Sequence, residues 1–411
     1  MNRNRIAWDT QLGIAVAGIT TTSIGPALPF LILEHDLSLT VAGIVFAFFS
    51  GGRTTSVVLS TLIADRLPRK TLLLTGHGCF AVGLVAFAIS PTFALHLVGI
   101  GIAGLGFGFT DAISNAVITE VFHDRRGFAL NRLHAFFGLG SIIGPAFAAL
   151  VLASGGHWRI IFSFAATVAI AVTVFTALTD IPERGGTFGD DHTASDASST
   201  SAGEREGTNS ALRDTLLFFV TPALILPAFA VLIFTGVTHG LIGWMNTYFV
   251  EVMGASATAA TIVLLSYNSG ITVGRLVCGS YADRLGFRPT MILNAAAAAA
   301  SLIVAATTRS VILGAVAYTL GGFFLAGITP VAVAIATTYE SHRAGETAAR
   351  LFVFGATGSL IIPFSMGAVS DYFTLDVGIG FVGFLVAVII ALGLGVPRSF
   401  HRGRERADAR E

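Results

Sequence analysis

The sequence predicts an all-α membrane protein of twelve transmembrane helices, arranged as two pseudo-symmetric six-helix bundles. Three observations lead there. Apolar runs of about 20 residues recur along the 411-residue chain, each long enough to cross a hydrocarbon layer ~30 Å thick. Basic side chains collect in alternate connecting segments. The second half of the chain repeats the first at a fixed offset.

Only 12% of the residues are charged, against 54% hydrophobic, whereas a soluble domain carries about a quarter charged residues. Mean hydropathy is +0.78. The 47 glycines and 33 phenylalanines suit helices that pack closely through small side chains and face lipid with large ones. The apolar runs predict spans at 8–32, 40–63, 71–90, 93–119, 128–153 and 158–179, then 223–250, 257–281, 289–307, 311–338, 346–370 and 374–396. Residues 1–180 therefore form one bundle, and 214–411 form the other with a short basic tail. Between them, 181–213 is rich in Gly, Ser, Thr and Asp; it buries too little surface to offset its ordering entropy and reads as a flexible linker. Met1 to Asp9 is short and basic with no small-residue cleavage site behind it, so it reads as the start of an uncleaved first helix.

Orientation follows from charge. With the N-terminus inside, the inner segments hold 20 of the 24 Lys and Arg, the outer loops hold only Arg159 and Arg309, and Arg53 and Arg275 lie within helices. That bias places both termini in the cytoplasm of a multi-pass cell-membrane protein. The two cysteines, Cys79 and Cys278, lack ligand-like spacing and read as small packing residues. His96 and Trp158 fall near the outer interface, where aromatic belts form, and are given no function.

The internal repeat is specific. Residues 60–70 read STLIADRLPRK and residues 278–288 read CGSYADRLGFR, placing Asp65 and Asp283 218 positions apart. At the same offset Gly140 and Pro145 match Gly358 and Pro363, and Glu120 matches Glu340 within two residues. Duplicated bundles with a solute site between them near the midplane are a signature of transporters.

Both ADRLxxR segments resemble the loop between the second and third helices of the major facilitator superfamily, with its pattern Gly-x-x-x-Asp-Arg-x-Gly-Arg-Arg/Lys. The second copy keeps Gly279, Asp283, Arg284, Gly286 and Arg288; the first keeps Asp65, Arg66, Arg69 and Lys70, with Thr61 and Pro68 in place of glycines. The resemblance implies the major facilitator fold and a cytoplasmic latch. In it Asp65 and Asp283 accept N–H groups at the positive starts of helices in the opposite half, near Gly345–Thr347 and near Gly127. In the fifth span, Gly140, Gly144 and Pro145 resemble the superfamily's antiporter motif, with Ala148 and Ala149 replacing its final glycines; Gly144, Pro145 and Pro363 are expected helix-bending positions. The GLGFGFTDAISN run, NRLH at 131–134, and Trp244 with Tyr248 resemble the fucose-permease-like branch, in which the acid of the fourth helix couples protons. The first helix departs from that branch, having GPALP (25–29) and no internal acid.

Asp111 is the one acid expected near the bilayer centre, with Asn115 one turn on. Arg53 lies 12 residues before Asp65 and Asp111 nine before Glu120. At 1.5 Å per residue these sit about 18 Å and 14 Å above the inner helix ends, level enough to form a buried pair; proton coupling is its expected role, and a structural ion pair without proton chemistry is the alternative. Asn115, His239, Trp244, Asn246 and Asn268 are the expected solute-binding residues. Arg275 has no opposite acid in the tenth span, where Pro330 occupies the equivalent of Asp111, and reads as snorkelling or supporting the latch, with a solute-binding role as the alternative. No GxxxxGK[ST] loop, CxxC or HxxxH occurs, so neither ATP drive nor a membrane enzyme is expected, and no cofactor or metal. The expected function is alternating-access secondary transport of a small polar solute such as a sugar, driven by protons and carried out by a monomer in the bilayer. Proton-driven efflux of drug-like or metabolite compounds is the alternative.

Overall fold

The computed structural model describes residues 3–63, 66–122, 125–181, 218–340 and 343–397. Residues 182–217, which hold almost all of the expected linker, and the basic tail from 398 lie outside this set, as does Asp65.

The first bundle contains α1 (Arg3–His35), α2 (Leu39–Ile63), α3 (Arg69–Ile89), α4 (Phe93–Val121), α5 (Arg126–Ala153) and α6 (Arg159–Ala177). The second contains α7 (Pro222–Glu251), α8 (Ala257–Leu285), α9 (Phe287–Thr307), α10 (Val311–Leu325), α11 (Ile328–Tyr339), α12 (Ala344–Tyr372) and α13 (Leu375–Gly395). With α10 and α11 taken as one span, twelve helices are long and apolar enough to cross a membrane. Helices satisfy every backbone donor and acceptor internally, which hydrocarbon demands. Hydroxyls inside them follow the same logic: Thr20, Thr21 and Thr22 each donate to the carbonyl four residues earlier in α1.

The tenth span differs from its expected continuous form. It breaks at Ala326–Gly327, because Pro330 has no N–H to return to the Ala326 carbonyl. Gly327 is required there, since a Cβ would overlap Asn294 Nδ2 and Cys278 Sγ. Cys278 is buried and takes a long contact of 3.6 Å from Asn294 Nδ2, consistent with its expected packing role.

The repeat seen in the sequence is also a repeat of packing. A Cβ on Gly140 of α5 would overlap the Ala15 carbonyl of α1; a Cβ on Gly358 of α12 would overlap the Leu232 carbonyl of α7. Each half thus brings its first and fifth helices to backbone contact at an equivalent glycine. The expected bends at Pro145 and Pro363 do not interrupt the helices, which run on through both prolines. Gly144 is held for closeness instead, against Ile19, Thr22 and Ser23 of α1.

His96 and Trp158 are corrected by the structure: they are 0% and 2% exposed, not lipid-facing. Trp158 Nε1 donates to Glu34 at 3.0 Å, and Arg159 pairs with the same carboxylate, tying the outer ends of α1 and α6.

Gly140→Val and Gly358→Val should each lower thermal stability by at least about 1–3 kcal/mol through backbone overlap. Gly138→Val, where a Cβ meets open space, should be near neutral. Thermal unfolding of detergent-solubilised protein followed by size-exclusion chromatography reads the difference.

Candidate functional site

The glycines of α4 set the site. A Cβ on Gly104 would overlap the Phe49 carbonyl, and one on Gly108 would overlap Ser56 Oγ and the Arg53 carbonyl. α2 therefore lies backbone-to-backbone on α4 at the height of Arg53. From there the guanidinium of Arg53 stacks 4.3 Å over the Phe107 ring and pairs with Asp111 Oδ2 at 3.1 Å. The other carboxylate oxygen, Oδ1, accepts from Asn115 Nδ2 at 2.9 Å. Both oxygens of Asp111 are engaged, one by charge and one by a neutral amide. The pair is 29% and 21% exposed at the side chains, so it is only partly enclosed by the helices around it. Asn115, expected to bind solute, spends its amide on Asp111 and acts as a positioning group.

Among the described Asp, Glu, His, Lys and Arg residues, only Arg53, Asp111, His239 and Arg275 lie ten or more residues from both ends of their helices. His239 Nδ1 donates to the Thr235 carbonyl at 2.8 Å; a carbonyl only accepts, so this nitrogen carries the proton and Nε2 is left as an acceptor. Both Arg53 and Arg275 lie within electrostatic reach of this imidazole. Arg275 is exposed and makes no ion pair among the described residues. Its expected snorkelling role does not hold, because it stands ten residues, about 15 Å, from the end of α8.

The remaining expected solute contacts are placed elsewhere. Trp244 is fully buried, and its Nε1 donates to the Pro363 carbonyl at 2.8 Å, clamping α7 to α12. Tyr248 donates to Asp376 at 3.3 Å, alongside the Arg309–Asp376 pair. Asn268 is 5% exposed and returns its amide to Leu264 of its own helix. Asn246 is 2% exposed, with neither amide atom partnered. These three solute assignments are corrected: Trp244, Asn246 and Asn268 lie inside packed interfaces in this conformation. The sequence could not separate cavity wall from interface, because both use the same polar and aromatic types.

The halves meet away from the face that carries the chain ends. Gly25 lies on the Ile242 carbonyl, Gly243 on Phe46, and Gly367 on the Leu39 carbonyl; Ser50 Oγ donates to the Ser359 carbonyl at 3.1 Å. At the far rim Asp371 accepts from the Leu39 and Thr40 N–H groups at 2.8 and 2.7 Å. Ser38 Oγ accepts from Val41 N at 3.3 Å, so the first three donors of α2 are satisfied. This rim latch was missed in the sequence, although a signal exists: an acid in the last turn of α12 opposes its own helix dipole and calls for a partner.

On the opposite face the expected latch is not seen closed. A Cβ on Gly279 or on Gly345 would meet open space, and the Asp283 side chain, like all of Asp65, lies outside the described residues. Arg69 pairs with Glu120 and Arg288 donates to the Gly393 and Leu394 carbonyls, all within their own halves. Arg66 and Arg284 are exposed. Gly286 has φ +87°, the left-handed turn that joins α8 to α9 and that glycine permits. Among the described residues, the contacts that Gly25, Gly243, Gly367, Ser50 and Asp371 make between the halves lie toward the far rim.

Residues 11–310 match the family model of the Major Facilitator Superfamily. The chain is similar to the TsgA homolog of Citrobacter koseri, at 25% identity over 45% of this chain and 47% of that protein. It thus spans about half the length of the TsgA relatives it matches. It is also similar to the MFS-type transporter YtbD of Bacillus subtilis, at 23% identity over 69% of this chain and 67% of that one. Among solved structures it superposes on a variant of the nucleoside transporter NupG, with TM-score 0.77, 14% identity and coverage of 96% of this chain and 99% of that one. A D-xylose–proton symporter superposes with TM-score 0.74, 15% identity and coverage of 94% and 96%.

Arg53→Gln or Asp111→Asn alone should strand a charge and cost at most about 3–5 kcal/mol, less where cavity water screens it. The double neutral variant should recover most of that loss in thermal unfolding; a double variant no better than the worse single one removes the pair as a stabilising unit. Asp371→Ala should remove two capping bonds worth about 0.5–2 kcal/mol and shift the population toward opening at the far rim. Labelling of a cysteine introduced at Gly43, which now faces Trp244 and Phe364, should then rise severalfold.

Proposed function

The chain belongs to the Major Facilitator Superfamily, and on that premise we propose that it is a proton-driven secondary transporter moving a small polar solute by alternating access. The observation that carries the reading is Asp111. It is a carboxylate in mid-membrane, only partly enclosed, with one oxygen on Arg53 and the other on Asn115. Such a group is costly unless it is paired or protonated, so a proton arriving at Oδ2 replaces Arg53 as its neutralising partner. That releases the guanidinium and loosens the bridge between α2 and α4. Proton loss restores the bridge. One structural relative is by name a sugar–proton symporter, which favours this coupling without fixing the solute.

Positive-inside charge orients the face that carries the chain ends toward the cytoplasm of the cell membrane. In the alternate state the two halves close that face, bringing Asp65 and Asp283 to the starts of α12 and α5. Export is not favoured by Gly144 and Pro145, since the contact of Gly144 with α1 serves packing in either direction of flux.

In proteoliposomes with an imposed pH gradient, Asp111→Asn should abolish accumulation of a transported solute while leaving solute exchange within about tenfold of the parent. An Asp111→Asn protein that still concentrates solute as the parent does rules out coupling through this carboxylate.

A further inference from the structure

We infer that the central cavity recognises a small organic anion bearing at least one hydroxyl or N–H group, with Arg275 holding the anionic head and His239 Nε2 accepting from the donor. The inference rests on the reading of this cavity as the solute site and narrows the class of solute it takes.

The argument is one of charge. Of the four described Asp, Glu, His, Lys and Arg side chains at mid-membrane, Arg53 and Asp111 cancel each other across 3.1 Å. His239 is committed to the tautomer with Nδ1–H on the Thr235 carbonyl. Arg275 remains. It makes no ion pair among the described residues; Tyr267 on its own helix and His239 on α7 lie within its electrostatic reach, and neither is a carboxylate. The cavity therefore carries a formal charge of +1 when empty. A cation held at least ten residues from either end of a membrane-spanning helix is expensive, and its retention calls for a counter-charge that arrives from outside the chain. A guanidinium presents a planar fork of donors, which matches a carboxylate or phosphate better than it matches a neutral hydroxyl.

The second group fixes the rest of the ligand. His239 is partly exposed on α7 and within electrostatic reach of both arginines. Its free Nε2 lone pair accepts a hydrogen bond and offers no donor, so it selects an O–H or N–H on the solute. An anion that neutralises Arg275 also leaves the loaded cavity uncharged when Asp111 and Arg53 are paired, which lowers the cost of enclosing it between the halves.

The test uses the full-length protein purified in detergent. Melting temperature is measured with matched pairs (gluconate and glucose, glycerate and glycerol, uridine monophosphate and uridine) and with inorganic phosphate and nitrate. The parent, Arg275→Gln and Arg275→Lys are compared. Anionic members should stabilise the parent more than their neutral partners. Arg275→Gln should weaken the best anion by about tenfold or more, the worth of a charged hydrogen bond, and Arg275→Lys should retain part of the affinity. Ligand-free Arg275→Gln should melt at or above the parent, because the charge it removes forms no ion pair among the described residues; this also shows that the variant folds. Equal stabilisation by neutral partners, an unchanged response in Arg275→Gln, or no stabilisation by any anion overturns the assignment. Transport separates the two readings. If anions bind through Arg275 but no gradient drives their accumulation, the transport reading fails and the anion site stands. If a neutral solute accumulates equally in the parent and in Arg275→Gln, the transport reading stands and the anion site fails.

Discussion

Hydrocarbon offers no hydrogen-bond partners, and that constraint organises this molecule from the backbone outward. It makes the spans helical, sends the hydroxyls of Thr20, Thr21 and Thr22 back to their own helix, and leaves van der Waals contact between backbones as the main source of cohesion. Glycine is how the chain obtains that contact. Gly140 on Ala15 and Gly358 on Leu232 are the same device used once in each half. Departures from regular polar satisfaction then gain meaning. The Arg53–Asp111 bridge, the break at Ala326–Gly327 and Arg275, which forms no ion pair among the described residues, all lie at mid-membrane depth.

The break and the bridge occupy corresponding places in the two halves. Where α4 carries Asp111, the tenth span carries Pro330, which costs a backbone hydrogen bond and leaves an adjustable joint between α10 and α11. One half has a fixed charge pair and the other has a joint. Such asymmetry is what a duplicated scaffold needs if one half is to hold the coupling ion while the other adapts to the solute. The rim closure has the same economy: two carboxylate oxygens of Asp371 and one hydroxyl of Ser38 satisfy three donors of α2, joining the halves through a helix start that would otherwise need water.

Much of this was legible in the sequence. Twelve spans followed from the length of the apolar runs, and the two-bundle plan from the 218-residue offset of Asp65 and Asp283, because hydropathy and duplication are properties of the chain in one dimension. The proximity of Arg53 and Asp111 followed from depth alone, since helical rise converts residue number into height. What a one-dimensional argument lacks is azimuth. Trp244, Asn246 and Asn268 have the right chemistry and depth for a cavity wall, yet only the packing of α7 and α8 against their neighbours decides that they face inward to protein. Asn115 was placed correctly in height and turned out to serve Asp111. Asp371 signals in the sequence only that it needs a partner; which partner was invisible, because Leu39 and Thr40 lie more than 300 residues away and contribute only backbone. The sequence by itself determined which segments cross the membrane and how deep each charge lies, because both depend on distance along a helix. The tertiary structure alone decided which charges meet and where the two halves touch, because those depend on rotation about helices and on the fit between the two halves.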